Sequence, residues 1–267
     1  MTARAAIAAL AGAGEIQTWS LIVTILGDMA RAPGAAIPGP VLTALTGRIG
    51  IRPEAMRVAL HRLRKDGWIE TRKLGRVSHY ALSAAGLAEA EAAAGRIYAE
   101  APDRPGTWHL LVAGPTDAAT RLNDDGALAA DGLIALAAGV WLGKGAGRAR
   151  QGFFMIEGTA RQVPDWLGAH LLPPPLAAAH KAFARALGAA ERSLPDGPAR
   201  LPTLDRAALR VLAVHGWRRL VLRTPDLPDD WFPAQWCGPQ SRARVLALLD
   251  RLGPVTADDL QDATTAV

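Results

Sequence analysis

Between residues 48 and 80 the chain carries Arg48, Arg52, Arg57, Arg62, Arg64, Lys65, Arg72, Lys73 and Arg76 against Glu54, Asp66 and Glu70, a net charge of +6 in a protein whose total is +5. The chemistry open to such a cluster is the neutralisation of a polyanion, because closely held cations displace the counterions condensed on phosphates. The other reading is a solvated basic face on a domain with a different task, and charge alone leaves both open. Bond-making chemistry finds less to work with. The 267 residues contain one cysteine, Cys237, with no base near it in sequence, and six histidines at none of the spacings that hold a metal. The stretch Gly143-Lys144-Gly145-Ala146-Gly147-Arg148-Ala149-Arg150 is basic and glycine-rich but lacks the GxxxxGK[ST] order of a phosphate-gripping loop. No catalytic residue, metal or cofactor is therefore expected. An enzyme or other-ligand sensor with an attached DNA-binding head stands as the alternative function.

The elements around the cluster decide how its cations are aimed. Trp19, Ile22, Ile25, Leu26 and Met29 recur at spacings of three and four and predict a helix with one apolar stripe. Pro33, Gly34, Pro38 and Pro40 break it, and a short helix follows on Val41, Leu42 and Leu45, ending near Gly47 to Gly50. A third helix begins at Arg52-Pro53-Glu54, with proline where the first turn tolerates it, and turns Met56, Ala59, Leu60 and Leu63 inward while Arg57, His61 and Arg64 project away. It stops at Asp66-Gly67. Two short runs then flank Gly75, a residue able to take positive φ, and predict a β-hairpin with Arg72, Lys73 and Arg76 at its tip and Tyr80 inward with Leu82. Three helices followed by a basic hairpin make a winged helix-turn-helix. The third helix would enter the major groove, with Arg57 and His61 facing base edges and Val58 against a thymine methyl; Arg48, Arg52, Arg62, Arg64 and the wing cations would meet phosphates or the minor groove.

Five stretches carry a family likeness. Trp19-Ser20-Leu21-Ile22-Val23-Thr24-Ile25-Leu26-Gly27-Asp28, then Arg57 through Trp68 and Gly75 through Leu82, and far downstream Trp217 through Pro228 with Phe232-Pro233-Ala234-Gln235-Trp236-Cys237-Gly238, resemble the PaaX-type repressors of phenylacetate degradation. Thr224-Pro225 stands where that family usually has Asp-Pro. The resemblance implies a cytoplasmic homodimeric repressor of an aromatic catabolic operon, bound to double-stranded operator DNA and released by an acyl-CoA effector such as phenylacetyl-CoA. It also implies a ferredoxin-like central domain.

The residues read in the same direction. One cysteine forms no intramolecular disulfide and suits a reducing cytoplasm, the alanine-rich start is a poor secretory signal, and no run is long enough for a membrane helix. Ser83 to Ala99 favours helix, 102–106 reads as a linker, and strands are expected at Trp108–Ala113, Leu133–Trp141 and Gly152–Glu157. Helical spacing returns at 177–187, 204–217 and 240–252. The expected fold is α+β in three parts: a winged-helix domain with linker helix at 1–100, a ferredoxin-like domain at 101–172 and a mostly helical domain at 173–267. Six of the eight tryptophans lie beyond residue 100. Two readings of them stay open: they line an effector pocket, with Trp108, Trp141, Trp217 and Trp236 against a planar acyl group and Arg218 and Arg219 on its phosphates, or they fill cores.

Overall fold

The apolar periodicities of the N-terminal third become helices at the expected places. The computed structural model describes residues 2–32, 34–194 and 201–265; Pro33, an expected helix breaker, lies outside them. The helices are α1 (Ala3–Ala11), α2 (Thr18–Met29), α3 (Gly39–Ile49) and α4 (Pro53–Lys65). Both α3 and α4 have proline in the first turn, and Gly50, at φ +98°, turns the chain between them without a Cβ clash. The alanine-rich start, a weak leader by composition, is a core helix with Ala6, Ile7 and Leu10 buried.

Strands β2 (Ile69–Leu74) and β3 (Val77–Leu82) pair antiparallel from Ile69↔Leu82 to Leu74↔Val77, which leaves Gly75-Arg76 as a two-residue turn. Gly75 has φ +60° and Arg76 does not share the positive φ, the Gly-first pattern that matches the twist of a tight hairpin. A short strand absent from the sequence reading, β1 (Ile37–Pro38), pairs with the other edge of β3 and places Ile37 fully in the core. The helix α5 (Ala84–Ile97) is started by Ser83, whose Oγ accepts from the Gly86 amide at 3.0 Å and donates to the Gly67 carbonyl at 2.5 Å. Gly86 is required there, because a Cβ would lie 2.2 Å from the Trp68 carbonyl oxygen.

The C-terminal helices depart from expectation. They are α8 (Pro174–Ser193), α9 (Thr203–Val221), α10 (Gly238–Leu252) and α11 (Ala257–Thr265). The sequence suggests a separate helical domain from residue 173 onward. Instead the chain forms two compact units, one of Met1–Ala101, Pro175–Arg223 and Cys237–Val267, the other of Pro102–Pro174 and Thr224–Trp236. The reason lies in α9. Ala207, Leu209, Val211, Leu212, Val214, Trp217 and Val221 put apolar side chains on every side of it and even its arginines are no more than half-exposed, so the helix must be surrounded. It packs against α1, α2, α3 and α5 as well as α10 and α11, so one hydrophobic core runs from Ala6 to Leu260. No described helix is long and apolar enough to cross a membrane.

The second unit is built on β4 (Trp108–Ala113), β5 (Ile134–Ala137), β6 (Val140–Lys144) and β7 (Phe153–Gly158), antiparallel in the order β5-β6-β4-β7, with α6 (Ala118–Ala130) between the first two strands and α7 (Asp165–Leu171) after the last. The single strand expected at 133–141 is two strands, because Gly139, at φ +74°, folds the chain back on itself. Leu111, Leu128 and Trp141 form the small core under α6. The glycine-rich stretch has a packing explanation. A Cβ at Gly143 would lie 2.1 Å from the His109 ring and one at Gly147 2.7 Å from it, so the glycines make room for a buried imidazole whose Nδ1 lies 3.0 Å from the Gly145 carbonyl oxygen. Lys144 is ion-paired to Asp226 and Asp103, and Arg150 to Asp131.

Candidate nucleic-acid interface

The face that α4 turns away from the core is set by its burial pattern. Met56, Ala59, Leu60 and Leu63 face inward and are each less than a tenth exposed. Thr43 and Thr46 on α3 both direct hydroxyls at the Met56 sulfur, at 3.9 and 3.4 Å, which joins the two helices. The helical period then leaves Arg57, Val58, His61, Arg62, Arg64 and Lys65 in solvent, with Arg52 exposed just ahead of the first turn. Val58, 69% exposed, is apolar on an otherwise charged surface and makes no structural contribution that would explain it. On the hairpin, Arg72, Lys73, Leu74 and Arg76 are exposed as well.

The partners of these cations differ in kind. Arg57 donates to Glu54 at 2.9 Å and Arg72 to Glu70 at 2.6 Å, both between exposed side chains, where a phosphate or base edge competes readily with a solvated carboxylate. Arg62 lies 3.5 Å from Asp66 and stacks over Trp19 at 5.9 Å from the ring centroid, which holds its stem along α2. Arg64, Lys65, Lys73 and Arg76 make no ion pair among the described residues. The Glu54 carboxyl is held below its ordinary range by backbone hydrogen bonding first and by Arg57 after it.

Arg48 is the exception. Its Nε donates to the Asp205 carboxylate on α9, a side chain only 9% exposed, and this hydrogen bond raises the guanidinium pKa further. The phosphate role expected of Arg48 gives way to a structural one: it satisfies a nearly buried acid that the sequence, with the two residues 157 positions apart, offers no means of pairing with it.

Residues 17–86 match the model of the PaaX-like protein family, and residues 175–260 match its C-terminal domain, together more than half of the chain. The chain belongs to the PaaX-like family. It is 28% identical to the Transcriptional repressor PaaX of Escherichia coli (strain K12) over 253 residues, 88% of this chain and 80% of that protein. A solved structure, the Uncharacterized protein Rv0674 from Mycobacterium tuberculosis, shares the fold with a TM-score of 0.52 at 24% identity, covering 92% of this chain and 97% of that one.

The six residues expected at an effector site in this PaaX-like chain fall in both units. Trp217, Arg218 and Arg219 belong to the first unit; Trp108, Trp141 and Trp236 belong to the second. The rings fill cores. Trp217 is 1% exposed and donates its indole N–H to the Ile97 carbonyl at 3.0 Å. Trp141 packs edge-on against Phe153, Trp108 leans on Trp231 with centroids 4.7 Å apart, and Trp236 lies over Phe232 at 4.0 Å. These four tryptophans are corrected from pocket lining to packing, for the ordinary reason that large apolar rings gain most by full burial. Arg218 and Arg219 each line a cleft of the first unit, on different flanks of α9. The cleft that Arg218 lines is also lined by the rings of Trp68 and Tyr98, neither of which was expected at an effector site.

Proposed function

We propose that this chain is a transcriptional repressor that reads operator DNA as a homodimer and is released by an acyl-CoA effector, phenylacetyl-CoA in the first instance, in control of an aromatic catabolic operon. The relative named as a transcriptional repressor supports the class. The observation that carries the interface is that the segment matched to the family model holds the cluster of exposed cations on α4 and the hairpin. On this reading α3, the turn at Gly50 and α4 form a helix-turn-helix and the hairpin β2-β3 its wing. Arg57, Val58 and His61 face base edges, while Arg52, Arg62, Arg64, Arg72, Lys73 and Arg76 hold the backbone.

The second unit fits a ferredoxin-like reading, since a strand-helix-strand-strand start followed by a last strand beside the first gives its sheet order, with the connection at 145–152 in place of a second helix. Phe154 and Ile156, 65% and 48% exposed on the edge strand β7, offer an apolar surface to a second copy. Two heads on half-sites about one helical turn apart would then supply specificity that a single head lacks. For the effector, Arg219, in the cleft on the other flank of α9 from Arg218, is the cation left to its phosphates.

The test is selection from random duplex DNA followed by mobility shift. Wild type is expected to enrich an inverted repeat, and phenylacetyl-CoA to dissociate the complex. Failure to enrich any sequence overturns the repressor reading; enrichment without release by the thioester overturns only the effector. Light scattering that gives a monomer both free and on the selected DNA overturns the homodimer.

A further inference from the structure

Between α2, α5 and α9 the first unit holds an open cleft of about 110 Å³. Val23, Gly27, Ala90, Ala93 and Ile97 give it apolar walls, and Trp68 closes one side. Small side chains make the space: Gly27 and Ala90 face each other where larger residues would meet, a Cβ on Gly27 coming 3.8 Å from that of Ala90. Arg218 also lines this cleft. Its Nη1 donates to the Ser20 hydroxyl at 3.1 Å, and no carboxylate among the described residues forms an ion pair with it.

The neighbouring arginine on the same helix shows what is missing. Arg210, eight residues earlier, is clasped by both carboxylate oxygens of Asp28 at 2.6 and 2.9 Å. Asp28 reaches the cleft too, but it is occupied by Arg210 and by the Tyr98 hydroxyl at 2.7 Å, so it has little capacity left for Arg218. The remaining acid of the lining, Glu89, is exposed to solvent at the mouth, as is a further cation, Arg31, whose guanidinium lies over the Tyr98 ring. Burial alone pushes the Arg218 pKa down, which is the mark of a cation without a counter-charge.

We propose that this cleft binds a compact organic carboxylate, its apolar body between α2 and α5 and its carboxylate on the Arg218 guanidinium. Apolar walls beside a half-buried cation that no carboxylate pairs select an anion whose charge sits directly on a hydrophobic body. A neutral hydrocarbon leaves the cation uncompensated, and an inorganic anion leaves the walls unused. A coenzyme A thioester carries its phosphates far from a neutral acyl carbonyl and fits the pairing poorly, so this site is distinct in ligand class from the thioester effector proposed above. Trp68 joins the end of α4 to β2, and Val23 and Gly27 lie on the helix that packs against α4, so an occupant touches the elements that carry the basic face. Its effect on DNA, though not its binding, rests on the repressor reading.

Calorimetric titration of the full chain with phenylacetate and octanoate, each against its uncharged amide, tests the site. Both carboxylates are expected to bind at least about tenfold more tightly than the amides. Arg218→Gln should remove that preference while leaving the amides unchanged, and Ala93→Trp, which fills the cleft without touching the cation, should abolish binding of all four. No heat from either carboxylate at millimolar concentration overturns the proposal, as does equal affinity for acid and amide or full binding by Ala93→Trp. The acid–amide comparison on the wild type and the Ala93→Trp arm decide the matter even if Arg218→Gln does not fold. Carboxylate binding by a protein that enriches no DNA would leave the site standing and remove the repressor.

Discussion

The arginines of α4 and those of α9 are the same residue put to opposite uses. On α4 and its hairpin Arg57, Arg64, Arg72 and Arg76 stand in solvent, at most lightly paired with equally exposed acids. Around α9, Arg210 is bidentate to an Asp28 that is 1% exposed, and Asp205 holds Arg48. The difference is one of reference state. A buried carboxylate stripped of water needs a fixed partner, so the pair is welded into the fold, whereas an exposed arginine gains little from its neighbour and can exchange it for a phosphate at small cost. Sequence charge counts treat all of them alike. Only the exposed set is free to exchange its partners for the phosphates of a duplex.

The comparison breaks most visibly at the buried pair. Arg210→Ala leaves Asp28 buried with only Tyr98, and urea unfolding should show a loss of about 3 to 5 kcal/mol, the usual cost of orphaning one partner. A loss comparable to that of Arg57→Ala would mean that burial does not separate the two sets.

The next effect concerns pH. Burial lowers the pKa of both His180 and His215 to about 4, helped at His215 by Arg219 and Arg218. The Thr24 hydroxyl donates to the Ser20 carbonyl, so His215 presents Nδ1–H to the Thr24 oxygen and stays neutral. As pH falls below the ordinary histidine value of about 6.5, the unfolded chain takes up these protons first, and stability should decline by about 1.4 kcal/mol per pH unit per histidine until pH approaches 4. Chemical denaturation at pH 7, 6 and 5 reads the slope, and His215→Gln should reduce it by about half.

On the exposed side, Arg57→Ala is expected to cost about 1 to 3 kcal/mol on the selected operator and to relax preference at one base pair, with no change in the unfolding midpoint. Unaltered affinity on that operator would remove Arg57 from base reading. The smallest expected effect is at the wing. Arg76→Ala should weaken all duplexes alike and lower the slope of log affinity against log salt by about 1, as one lost phosphate contact does. A sequence-dependent loss would move Arg76 from positioning to readout.

Local order was legible in the sequence because it depends on neighbours along the chain. The stripe from Trp19 to Met29, the proline that opens α4, and Gly75 in the hairpin each act within a few residues, so spacing alone placed them. The exposure of Arg57, Val58 and His61 follows from the helical period once Met56, Ala59, Leu60 and Leu63 are turned inward. What tertiary structure alone decided involves distant partners. Arg48 could not be told from Arg57 until Asp205, 157 residues away, was seen to hold it. The tryptophans could not be assigned to cores until their neighbours were known. The closure of α9 within the helices of the N-terminal segment has no local signal either, since its apolar residues are interleaved with Asp205, Arg210 and Arg218, whose partners lie far along the chain. Periodicity and turn chemistry are properties of short stretches, whereas charge pairing and burial belong to the whole chain folded on itself.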